Sequence, residues 1–128
     1  MRVTRFLAAM VLGASLVGSA AAAPLEPLIV GWERFFVVSW EASDRGDRPH
    51  ISGYVRNESG HRATRVQLLV EGLDGSGRVV SQQVNWLGTD LPAFTRTYFE
   101  VPAPARAPTY RVRVFAFDVL QAARVESP

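Results

Sequence analysis

The residues best suited to chemistry are few. His50 and His61 are the only imidazoles, and the chain has no cysteine. A metal site built on these histidines would need a third ligand from a carboxylate such as Asp44 or Asp47. The two histidines lie on different expected strands, which favours two solvated rings. His50 and Ser52 stand two apart, so the pleat of one strand brings them to one face without any catalytic arrangement. No serine occupies a G-x-S-x-G elbow. Asp44 and Asp47 alternate with Arg45 and Arg48 and read as a solvated turn. Gly72 to Gly77 reads as a hairpin, not a phosphate-binding loop. A nucleophile, a base and an oxyanion site are all missing from the pattern. The sequence therefore predicts no enzyme, no catalytic residues, no cofactor and no metal.

One surface pattern stands out. Under strict alternation Arg111, Arg113, Phe115 and Phe117 share the face opposite Val112 and Val114. Arginine and aromatic residues are enriched where proteins bind one another, so these four are the candidate protein-binding face. Two structural readings compete with it. A β-bulge near Val114 would turn Phe115 and Phe117 into the core, or residues from Trp32 to Trp40 would cover the face within the same chain.

The elements that must carry these residues are strands. His50–Asn57, Ala63–Glu71 and Tyr110–Ala116 each alternate apolar and polar residues with period two and are rich in β-branched and aromatic side chains. Ile29–Glu41, Gly77–Trp86 and Phe94–Val101 are further strand candidates. Asn57-Glu58-Ser59-Gly60 and Asp74-Gly75-Ser76-Gly77 are turn clusters. Ser43 to Asp47 reads as a break, and Gly88 to Pro92 as a longer connection. Pro102 to Pro108 is too proline-dense for a sheet interior and reads as an extended crossover. Trp32, Phe36, Val38 and Trp40 fit either one face of a first strand or an N-terminal arm that docks on a partner. The expected fold is all-β: an antiparallel two-sheet immunoglobulin-like sandwich of six or seven strands, preceded by a signal peptide.

The first 22 residues carry that signal. Arg2 and Arg5 precede an apolar run from Phe6 to Gly18, and Ala20-Ala21-Ala22 supplies an A-x-A cleavage site. The apolar run is shorter than the ~20 residues a membrane-spanning helix needs, so membrane contact is expected only where the signal is not cleaved. After export, residues 23–48 form an N-terminal strand or arm, 49–120 the sandwich and 121–128 a tail. Twelve arginines then face twelve carboxylates. A formally neutral domain offers no general basic face for nucleic acid.

Ile51-Ser52-Gly53-Tyr54-Val55-Arg56-Asn57, a G-x-V-x-N strand, resembles the opening of FxLyD-type domains of bacterial envelope proteins. Asp74 to Gly77, Val79-Val80, Leu91-Pro92, Phe99-Glu100-Val101-Pro102 and Tyr110 to Val114 follow in that family's order. The similarity spans about residues 50–118. Pro92-Ala93 departs from the family's P-G, and Pro24 to Arg48 lies outside the resemblance. The resemblance implies an immunoglobulin-like or transthyretin-like sandwich, an extracytoplasmic setting and no catalysis. The resulting expectation is a periplasmic or secreted interaction module of the cell envelope that binds an envelope protein or self-associates. The competing expectation is a small-ligand or metal binder with a pocket between Trp40, His50 and neighbouring loops.

Overall fold

A computed structural model describes residues 23–120; the signal segment and the C-terminal tail lie outside the described residues. Six strands follow one 3-10 turn at Trp32–Arg34: β1 (Phe36–Arg45), β2 (Arg48–Asn57), β3 (Arg62–Leu73), β4 (Val79–Trp86), β5 (Arg96–Pro102) and β6 (Thr109–Leu120). They form two antiparallel sheets of three, ordered β1-β2-β5 and β4-β3-β6. This is the expected all-β, two-sheet architecture.

The alternation of each strand explains the core. Ile51 and Val55 from the first sheet meet Val66, Leu68, Val70, Val112 and Val114 from the second. Phe99 and Val101 close one side, while Phe36 and Trp32 close another. Burial of each large side chain contributes about 1.5–3 kcal/mol, and a cysteine-free chain depends on that sum.

The first strand departs from the sequence expectation. Ile29 to Arg34 is not extended: Gly31 takes φ 86° and opens the 3-10 turn that seats Trp32 in the core. The strand begins at Phe36 and runs through Ser43 and Asp44 to Arg45, where a break was expected. Arg45 pairs with Arg48, so Gly46-Asp47 alone makes the hairpin loop. Gly46 has φ 64°, the left-handed backbone that such two-residue loops require and glycine supplies cheaply. The polar composition of Ser43–Asp47 therefore marks an exposed hairpin end, not a chain interruption.

Polar anchors fix the connections. Asn57 is fully buried, and its Nδ2 donates to the carbonyls of His61 (2.7 Å), Leu91 (2.9 Å) and Pro92 (3.3 Å). Its Oδ1 accepts from the Ser59 N–H and hydroxyl. One side chain thus ties the β2–β3 turn to the β4–β5 connection. At the seam between β1 and β6, Trp40 Nε1 donates to the Tyr110 carbonyl at 3.0 Å. The Tyr110 hydroxyl donates to Ala105 and accepts from the Ala107 N–H, which pins the proline-rich crossover.

Candidate functional site

The stripe on β6 does not form one exposed face. Gln67 pairs with Ala116 but Leu68 pairs with Val114, so Phe115 has no partner on β3. This bulge shifts the phase of the strand by one residue. Phe117 consequently turns into the core, 9% exposed, with its ring 4.7 Å from Phe36 in an edge-to-face contact. Phe115 is half-buried, and its carbonyl accepts the Leu28 N–H at 2.8 Å. Arg111 and Arg113 do share the outer face of the second sheet, but both are spent on Glu71.

Glu71 is fully buried although it lies on that outer face. In register it sits between Gln82 on β4 and Arg111 on β6. Arg111 Nε donates to Oε1 at 2.7 Å, Arg113 Nη2 to Oε2 at 2.9 Å and Gln82 Nε2 to Oε2 at 2.8 Å. Burial alone would raise the carboxyl's pKa. The hydrogen bonds from Arg111, Arg113 and Gln82 outweigh it and hold the pKa below the ordinary glutamate range.

The N-terminal arm closes this face. Gln82 exchanges two hydrogen bonds with the Leu25 main chain, and Arg113 reaches Glu26 at 3.2 Å. Between β4 and β6 the arm passes over β3, where Leu69 is also fully buried despite facing away from the central core. Leu25 to Leu28 therefore covers Glu71 and the two arginines, while from the Trp32 to Trp40 segment Phe35 and Phe36 pack on Phe117. The arm carries Pro24 and Pro27 and no periodic pattern, so only the pair of arginines on one strand, needing a counter-charge, hinted at this cluster.

Among the described residues no segment covers the outer face of the first sheet. Tyr54 on β2 pairs with Tyr98 on β5, and their rings meet edge to face with centroids 5.6 Å apart. They remain 38% and 55% exposed. The Arg96 guanidinium lies 4.2 Å over the Tyr54 ring. Beside them a recess of about 260 Å³ is lined by Ser39, Trp40, Glu41, Ser52, Gly53, Tyr54 and Tyr98. The period-two alternation of His50–Asn57 puts Tyr54 on one face with His50, Ser52 and Arg56, but the neighbourhood needs the pairing of β5 with β2, which no local pattern carries.

No family model, curated protein or solved structure matches this chain.

A second recess, about 470 Å³, lies along the seam between β1 and the start of β6, with Trp40, Glu41, Pro49 and Tyr110 in its wall. Arg106 bridges it by bonding Asp44 and the Asp47 carbonyl. The site expected between Trp40 and His50 thus corresponds to a recess at Trp40 whose lining includes Pro49 but not His50. Asp44 faces Arg106, not a histidine. Among the described residues no group of three or more His, Asp or Glu is placed to hold a metal.

Proposed function

We propose that this chain is an exported, non-enzymatic β-sandwich module of the cell envelope that binds a protein partner through the outer face of its first sheet. The observation that carries this reading is the inequality of the two outer faces. The arm covers the middle of the second sheet, around Glu71 and Leu69, and leaves Val80 and Trp86 exposed at its edge strand, whereas among the described residues no segment lies over the Tyr54–Tyr98–Arg96 cluster at the centre of the first. Exposed tyrosine and arginine are the residue types that anchor protein contacts. The signal pattern of residues 1–22 supports a periplasmic or secreted location, and cleavage after Ala22 frees the arm to fold onto the sandwich. The resemblance to FxLyD-type domains supports the same setting.

Site-specific photo-crosslinking in the producing cell tests the reading. A photoreactive phenylalanine analogue at Val37, on the exposed outer face beside Arg56, is expected to give a discrete protein adduct. The same group at Val80, exposed on the other sheet, is expected to give none. Adducts from Val80 alone, or from neither position, would reject the face. The recess beside Trp40 favours a second reading, a small-ligand binder, which would instead show ligand-dependent melting.

A further inference from the structure

We propose that the recess beside Tyr54, Tyr98 and Glu41 receives a cationic side chain, an arginine or a lysine, from the protein partner. The inference rests on the reading of the first sheet as the contact face and adds the chemistry of the contact. The recess forms because small residues lie next to large ones. Ser39, Ser52 and the backbone at Gly53 lie low, and the tyrosine rings stand above them. Its volume of about 260 Å³ falls below the about 300–1,000 Å³ of small-molecule sites. It suits one side chain better than a whole ligand.

Charge selects which side chain. Arg96 already lies over one face of Tyr54, so this ring engages a guanidinium within the chain itself. Neighbouring carboxylates have cations of their own: Glu100 pairs with Arg45, and Asp44 with Arg106. Glu41 lines the recess and has no ion pair among the described residues. A guanidinium or ammonium entering here meets a free carboxylate for a charge-assisted hydrogen bond. Its alkyl stem lies along aromatic surface. The hydroxyls of Ser39 and Ser52 accept its remaining N–H groups. An acidic side chain meets Glu41 repulsion, and an apolar one would desolvate the carboxylate without replacing its hydrogen bonds.

The test uses the exported chain, isotope-labelled and observed by NMR, with N-acetyl-arginine amide and N-acetyl-lysine amide as probes. N-acetyl-glycine amide is the uncharged control, and a methyl glucoside tests for a sugar site. The cationic probes are expected to shift the amides of Ser52, Gly53, Tyr54 and Tyr98 saturably, and added salt should weaken the effect. Glu41→Gln should melt as the parent does and bind the cationic probes about tenfold more weakly. Equal binding by Glu41→Gln, equal response to the glycine probe, or a response to the glucoside alone would overturn the proposal. If Val37 adducts persist while the cationic probes fail to bind, the contact face stands and the cation pocket falls. Loss of both removes the face as well.

Discussion

Arg113 donates to buried Glu71 at 2.9 Å and to Glu26 of the N-terminal arm at 3.2 Å. One guanidinium therefore joins the interior of the second sheet to the segment that covers it. Stability should depend on pH through this link. Glu71 has its pKa lowered in the folded state, so its contribution is complete above the ordinary glutamate range. That contribution is lost as pH falls through the lowered folded value. Urea midpoints measured from neutral to acid pH should decline in that window, and Glu71→Gln should flatten the decline. At neutral pH the same substitution leaves Arg111 without its counter-charge and Arg113 with Glu26 alone, and should cost about 3 kcal/mol. An unchanged acid slope in Glu71→Gln would show that other carboxylates set it.

The arm is a part of the fold. A chain beginning at Ile29 loses the Leu25–Gln82 hydrogen bonds and the Glu26 contact, and uncovers Leu69 and Glu71. It should melt lower than the chain beginning at Ala23 and bind a hydrophobic dye near its surface. Equal melting of the two would mean that the arm rests on the sheet without stabilising it.

Asn57 offers a sharper contrast between substitutions. Its amide nitrogen faces three carbonyl oxygens at 2.7, 2.9 and 3.3 Å. Asn57→Ala leaves those carbonyls with fewer donors and should cost about 2–3 kcal/mol. Asn57→Asp preserves shape but places a carboxylate oxygen against the carbonyls, so it should be more destabilising than alanine at neutral pH. Chemical denaturation of the two variants decides the order.

Gly53 tests the packing under the proposed contact face. A Cβ there would collide with the Ser39 carbonyl oxygen and lie 2.7 Å from Trp40 Cα. Gly53→Ala must push β1 away from β2. It should lower the melting temperature, whereas Ser52→Ala, at the neighbouring position, should change it little.

The strands were legible where alternation alone decides. Ile51, Val55, Val66, Leu68, Val70, Val112 and Val114 fall in the core that period two assigns them. The bulge near Val114 was open in the sequence as an alternative to strict alternation; the choice between them depends on register with Gln67 and Leu68, which a strand's own pattern does not record. Two features escaped for physical reasons. The β1–β2 hairpin hides in a polar run because its loop needs only Gly46 and Asp47. The arm binds through main-chain and charged contacts, which leave no hydrophobic period. The aromatic recess was harder still, since Glu41, Ser52 and Tyr98 come from three strands whose lateral order is a property of the assembled sheet.

Hydroxyl-radical footprinting, on intact envelopes beside purified protein, tests the central claim most directly. The account predicts strong labelling of Tyr54 and Tyr98 in the purified chain and protection of both in the envelope. Val80 and Trp86 on the second sheet should be labelled equally in the two samples. Equal labelling of Tyr54 and Tyr98 in both samples, or protection confined to Val80 and Trp86, would contradict it.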